Sequence, residues 1–195
     1  MIEYLEGHLE EKTPAYVVVD CGGIGYFVNI SLNTYTRIKD LERYRMYVHQ
    51  VIREDMHLLF GFADIEERKI FRHLISVSGV GANTARMILS SLSPGEVQNA
   101  ILSNNVPVLQ AVKGIGAKTA QRIIVDLRDK IGKPDPLMGD SFLTPANHLR
   151  DEAVMALIML GFNKSSSEKA IEKILKSPSE NTTVEELIKQ ALKNL

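Results

Sequence analysis

The chain's 195 residues, 45% hydrophobic and with a formal net charge of −1, suit two or three small folded domains and exclude a wholly disordered polypeptide. No apolar run is long enough to span a bilayer, and the opening Met1-Ile2-Glu3-Tyr4-Leu5-Glu6 lacks the pattern of a signal peptide. A single cysteine, Cys21, excludes an internal disulfide and a cysteine-built zinc site, so the cytoplasm is the expected compartment and no metal or cofactor is expected.

In chain order, the first third reads as strands. Tyr16 to Val19 and Tyr26 to Ile30 are short β-branched and aromatic runs, and the glycine-rich turn Asp20 to Gly25 between them predicts a hairpin. A second pair, Met46 to Ile52 and His57 to Phe62, has its tip at Arg53-Glu54-Asp55-Met56. With the opening segment Ile2 to Leu9, these runs are enough for a five-stranded barrel of the OB-fold type over residues 1–64.

From Ile65 the period changes. Ile70, Phe71, Leu74, Ile75 and Val77 recur at helical spacing. Ser93-Pro94-Gly95-Glu96 has the form of a capping box with proline in the first turn, an apolar stretch runs from Val106 to Val112, and Thr119 to Lys130 predicts a longer helix. The proline- and glycine-bearing segment 132–148 reads as a linker. Beyond it, Leu149 to Leu160 predicts a helix closed by Gly161, Ser166 or Ser167 is expected to cap a second helix through Leu175, and Thr182 or Thr183 a third ending near Leu195. The expected fold class is therefore multidomain α+β: the barrel, an all-α central domain at 65–131, and a three-helix, UBA-like domain at 149–195.

Charge is distributed unevenly along this plan. Residues 1–64 hold 6 Lys/Arg against 10 Asp/Glu, residues 65–133 hold 10 against 5, and residues 134–195 hold 7 against 9. A basic middle between acidic ends points to one module that meets a polyanion.

That basic third also contains an internal repeat. Ser78-Gly79-Val80-Gly81-Ala82-Asn83-Thr84-Ala85-Arg86 aligns with Lys113-Gly114-Ile115-Gly116-Ala117-Lys118-Thr119-Ala120-Gln121, thirty-five positions on, and each copy lies between predicted helices. Gly-apolar-Gly followed by a helix is the helix–hairpin–helix pattern. Glycine opens backbone angles closed to other residues and lets a phosphate approach, while the amides of the turn and helix start point at the anion. Val80 and Ile115 are expected to anchor the turns. Lys118, Arg122, Arg86 and Lys113 are candidates for further phosphate contacts, and Thr84 and Thr119 can add hydroxyls. Such contacts hold a backbone without reading bases. The second copy superficially resembles a Walker A loop, but lacks its spacer, its Gly-Lys-Thr ending and a preceding strand, so ATP hydrolysis is not expected.

Glu54 and Asp55 at the hairpin tip admit three readings: a solvated turn, a metal-nuclease pair without an evident third ligand, or carboxylates that repel phosphates. The residues alone do not choose. Two further function classes are disfavoured. A helix–hairpin–helix glycosylase or nuclease has no iron–sulfur cysteine set or acidic cluster here, and a general single-strand binder needs a positive OB groove where residues 1–64 are acidic.

Taken together, the Met1-Ile2 start, Gly23-Ile24-Gly25-Tyr26, Arg53-Glu54-Asp55, Leu59-Phe60-Gly61-Phe62, both Gly-x-Gly copies and Leu160-Gly161-Phe162 resemble the RuvA family over the whole chain and in order. The resemblance implies a homotetramer, possibly paired into an octamer, that binds four-way (Holliday) junctions through the helix–hairpin–helix turns without sequence preference. It implies that Glu54 and Asp55 form an acidic pin at the junction centre. It also implies a C-terminal domain that recruits the hexameric ATPase RuvB, with the resolvase RuvC in the same complex, for branch migration in recombination, repair and the SOS response to DNA damage. On this resemblance, Leu157, Leu160, Gly161 and Phe162 are the expected partner contacts. Two departures stand out: Asn83 occupies a position where many relatives carry a basic residue and Ala117 one where some carry a lysine, so the first hairpin is expected to rely on backbone groups and Lys118 to carry more of the salt dependence.

Overall fold

The computed structural model describes residues 1–131, 145–175 and 183–194. The chain divides into two compact units, Met1–Gly132 and Lys133–Leu195.

In the first unit, strands β1 (Tyr4–Lys12), β2 (Tyr16–Asp20), β3 (Gly25–Ile30), β4 (Arg43–Ile52) and β5 (His57–Phe62) close into a barrel in the order β1-β2-β3-β5-β4. Every pairing is antiparallel except β3 with β5, which runs parallel in the register Val28–Leu59, Asn29–Phe60 and Ile30–Gly61. Period-two alternation sends Leu5, Leu9, Val17, Val19, Val28, Ile30, Met46 and Val48 into the barrel core. A short helix, α1 (Leu32–Ile38), is not signalled by its sequence pattern; Ser31 caps it by accepting from the Thr34 amide.

Helix α2 (Ile65–Ile75) starts directly after β5, capped by Asp64, whose side chain accepts from the Glu67 amide at 2.7 Å. Phe71 on α2 is fully buried against Phe60 and Phe62 of β5, with ring centroids 5.3 and 4.8 Å away. Those two strand residues belong to the same hydrophobic cluster as the helices that follow. The boundary expected at 64/65 thus separates two folds but not two compact units, because one apolar core runs across it.

Polar contacts reinforce this seam. The Glu67 carboxylate accepts from the Ser31 and Thr34 hydroxyls, and the Ala63 amide donates to Thr34 Oγ1 at 3.1 Å. Arg68, only 5% exposed, donates through Nη1 to the Glu3 carbonyl (2.9 Å), the Glu3 carboxylate (2.7 Å) and the Val48 carbonyl (3.3 Å). The anionic acceptor and two carbonyls on Nη1 offset the burial of the charge, while Nε is buried without a hydrogen-bond partner among the described residues.

The rest of this unit is helical: α3 (Ala82–Ser91), α4 (Pro94–Leu102), α5 (Val106–Gln110) and α6 (Ala117–Ile131). Ser93 and Glu96 form the predicted capping box at the start of α4.

The second unit holds α7 (Pro145–Met159), α8 (Lys164–Leu175) and α9 (Val184–Leu192) around Ala153, Val154, Leu157, Ala170, Ile171, Leu187 and Ala191. Two expectations are corrected here. The linker read over 132–148 ends early, since Pro145 already belongs to α7, at the first position where a proline is accommodated; residues 132–144 lie outside the described residues. Nor do Ser166 and Ser167 cap α8. Both sit inside it, and Asn163 does the capping, its side chain accepting from the Ser165 amide at 2.9 Å. Gly161, at φ 99, ends α7 in the left-handed conformation. Thr183 caps α9 in a box with Glu186; Thr182 lies outside the described residues.

Candidate nucleic-acid interface

The two repeat copies fold into the same turn. In the first, between α2 and α3, the Val80 amide donates to the Val77 carbonyl at 3.0 Å, Val77 and Val80 are buried, and Gly79 has φ 92. In the second, between α5 and α6, the Ile115 amide donates to the Val112 carbonyl at 3.1 Å, Val112 and Ile115 are buried, and Gly114 has φ 91. A positive φ is costly to any residue with a Cβ, which explains the first glycine of each copy. The valine and isoleucine plug the turn against the helix pair.

The second glycine of each copy answers a different need. Gly81 has φ −84 and ψ 167, which any residue can adopt, and a Cβ added at Gly81 or Gly116 would meet nothing within 4 Å. The space in front of both turns is open. Gly81 is the N-cap of α3 without any side-chain cap, and helix geometry leaves the first-turn amides of α3 without intrahelical acceptors. An uncapped helix start beside an open, exposed turn has the geometry and the helix dipole to accept an anion.

Side chains differentiate the two turns. Asn83 and Lys118 occupy equivalent positions, one residue into α3 and α6, and both are exposed. Lys113 is exposed as well, and Thr84 and Thr119 are half-buried in the first helical turns. Arg122, exposed on α6, donates through Nη1 to the carbonyl of Ser78 in the first hairpin at 3.4 Å. Arg86 is placed otherwise. Its Nη1 donates to the Ala15 carbonyl and to Asn29 Oδ1, both at 3.1 Å, so the guanidinium faces the barrel. Asn29 does not stand out in the sequence, although an asparagine inside a β-branched strand is the signal that could have marked it.

Glu54 and Asp55 are exposed at the β4–β5 turn, which is closed by the Arg53 amide donating to the Met56 carbonyl at 2.9 Å. Among the described residues no group of three or more His, Cys, Asp or Glu could hold a metal ion.

In the second unit, the end of α7 presents Ile158 (39% exposed), Met159 (77%) and Leu160 (61%), with Gly161 exposed next to them. Phe162 is half-buried against the domain core. Leu157 is fully buried, which corrects its expected place in a partner contact: it supports the exposed residues from below. Among the described residues no helix is long and apolar enough to cross a membrane.

Comparison with known proteins agrees with this layout. The family model described as "RuvA N terminal domain" matches residues 1–61, "SAM-like Helix-hairpin-helix tandem" matches 71–129, and "RuvA, C-terminal domain" matches 148–195. Relatives named "Holliday junction branch migration complex subunit RuvA" match from end to end. The protein of Christiangramia forsetii is 54% identical, with 100% of each chain covered, and that of Bacteroides fragilis 50%, again with 100% of each covered. The protein of Cytophaga hutchinsonii is 49% identical over 99% of each chain. The barrel, the paired hairpin turns and the full-length identity lead to one conclusion: the chain belongs to the RuvA family.

Proposed function

We propose that this protein binds four-way DNA junctions by their phosphate backbones, as the DNA-holding and non-ATPase subunit of a branch migration complex. The observation that carries the reading is the geometric equivalence of the two turns, with the same buried plug, amide–carbonyl bond and φ near 92 at Gly79 and 91 at Gly114. Two matched anion-binding helix starts, from Gly81 and Gly116, suit phosphates at a fixed separation on one arm of DNA. Val80 and Ile115 shape the turns, Asn83, Thr84, Lys118 and Thr119 flank the bound phosphates, and Arg122 keeps the two turns together.

The exposed carboxylates of Glu54 and Asp55 supply the structural selectivity. Two negative charges at a hairpin tip repel phosphates that would otherwise cross that point, so continuous duplex is disfavoured and separated strands are tolerated. The assembly in which four such tips meet at a junction centre is a homotetramer. The apolar end of α7, at Met159 and Leu160 with Gly161 and Phe162, is the surface offered to a RuvB-type hexameric ATPase. A RuvC-type resolvase completes the complex, and a cytoplasmic location goes with it.

The test is a gel-shift titration of a four-way junction against a linear duplex of the same arm sequence, in magnesium-free buffer. Strong preference for the junction is expected. Equal affinity for both would leave the hairpins as simple phosphate clamps and overturn the selectivity assigned to the tip.

A further inference from the structure

Helix α3, which carries the first hairpin at its N-terminus, is fastened to helix α1 at its C-terminal end and to the barrel nearer the hairpin. At its C-terminal end the Asn33 side chain donates to the Leu89 carbonyl at 2.6 Å and the Leu92 carbonyl at 3.0 Å, and Ser90 Oγ accepts from the Leu32 amide at 3.1 Å. Nearer the hairpin, Arg86 donates to the Ala15 carbonyl and to Asn29 Oδ1. Asn29 passes the connection on: its Nδ2 donates to the Leu59 carbonyl at 3.2 Å. Leu59 lies on β5, the strand that leaves the tip bearing Glu54 and Asp55. A hydrogen-bonded path thus runs from the first hairpin's helix, through Arg86 and Asn29, to the strand of the acidic tip.

We infer that Arg86 is a positioning residue, and not a phosphate contact: with Asn29 it keeps the first hairpin in register with the acidic tip. This rests on the proposed junction-binding reading. Three observations favour it. The donating nitrogen of the guanidinium is engaged by two barrel acceptors, and the side chain is half-buried. The first hairpin has the neutral Asn83 where the second has Lys118, so it brings no cation of its own at that position and depends on where its amides are held. The interaction is also charge-assisted, the stronger class of hydrogen bond and the better suited to fixing a helix. Register matters for a junction, where tip and hairpins must fit one geometry together. Linear duplex gains nothing from that register, because the tip only repels it.

The experiment compares full-length wild type, Arg86→Met, Asn29→Ala, the double variant and Lys118→Gln, each titrated with junction and with duplex over a salt series. Arg86→Met should weaken junction binding roughly tenfold, the scale of one charge-assisted hydrogen bond, while duplex affinity does not fall and the slope of log K against log salt stays as in wild type. Uncharged Asn29→Ala should reproduce that pattern, and the double variant should be no worse than Arg86→Met, the signature of one shared interaction. Lys118→Gln should instead weaken both DNAs and lower the slope by about 0.9 for each phosphate it no longer neutralises. The inference is overturned if Arg86→Met behaves like Lys118→Gln while Asn29→Ala is silent, or if both variants keep the full junction preference. A wild type with no junction preference would overturn the functional reading itself, a result distinct from either. Thermal unfolding of each variant guards against misfolding, with Arg86→Gln as the substitute should Arg86→Met not fold.

Discussion

Arg122 and Ser78 stand forty-four positions apart and meet at the interface, the guanidinium donating to the first hairpin's carbonyl at 3.4 Å. The helix launched by the second turn is thereby tied to the first, and under the proposed function the two turns would act as one grip with unequal charge. Replacing Lys118 by Gln should lower the slope of log K against log salt by about 0.9 per phosphate neutralised, while Asn83→Lys should raise it by a similar amount. Titrations at several salt concentrations check both, and equal slopes for all three proteins would show that neither position meets phosphate.

The two glycines of a turn should separate in their effects. Gly114→Ala places a Cβ at φ 91 and should destabilise the protein by about 1–2 kcal/mol, read as a lower midpoint of thermal unfolding. Gly116→Ala meets open space, so its unfolding midpoint should match wild type while DNA binding falls, because the methyl group occupies the approach of the phosphate. A Gly116→Ala protein that binds normally would move the phosphate away from that turn.

Neutralising the tip tests repulsion. Glu54→Gln with Asp55→Asn should keep junction binding and strengthen binding to plain duplex, most at low salt where exposed charges are least screened. Unchanged duplex affinity would return these residues to an ordinary solvated turn.

At the seam between barrel and helices, burial pushes the Glu67 carboxyl above its ordinary value of 4.5, only partly countered by the Ser31 and Thr34 hydroxyls and the Ala63 amide. The folded state therefore binds that proton more tightly than the unfolded chain. Its contribution to stability is full below about 4.5 and is lost as pH rises through the higher folded value. Glu67→Gln should remove this component, so the stability difference between wild type and variant should shift in favour of the variant from pH 4 to pH 7.5. Denaturant midpoints across that range provide the measurement, and a pH-independent difference would contradict it.

In the second unit, the exposed Leu160 and the buried Leu157 should part company. Leu160→Ser should leave the unfolding midpoint nearly unchanged and weaken capture of a RuvB-type ATPase, whereas Leu157→Ala should cost about 2–5 kcal/mol through the cavity it leaves. Pull-down with the purified ATPase, alongside thermal unfolding, distinguishes the two effects.

Much of this is readable in the residues, for physical reasons that vary with the element. The strands announce themselves as β-branched and aromatic runs between turn residues, and the hairpin turns by glycines that the backbone at Gly79 and Gly114 requires. Capping boxes at Ser93 and Thr183 are local chemistry and follow from three or four residues. What escapes such a reading is non-local or ambiguous. Helix α1 is about two turns long, and its reason for existing, the Ser31–Thr34–Glu67 cluster, is completed from α2. Ser166 and Ser167 look like caps, but Asn163 offers an equally good one a few residues earlier, and spacing alone does not rank them. Leu157 lies inside α7 and faces the domain core, whereas Leu160 lies just past the end of the helix, and their spacing alone does not tell them apart. Arg86 reads as a phosphate ligand in a basic segment, and only the fold brings Ala15 and Asn29 to it.

Under the proposed function, the open turns at Gly81 and Gly116 have a mechanical corollary. Amides that hold phosphates are blind to sequence, so each base-pair step of an arm presents them with the same binding energy as the last. DNA held in this way rests on a nearly level landscape: the hold is firm against departure and offers little resistance to translation along the helix axis. A motor attached to such a subunit works against the friction of exchanging equivalent partners, without first having to climb out of a preferred address.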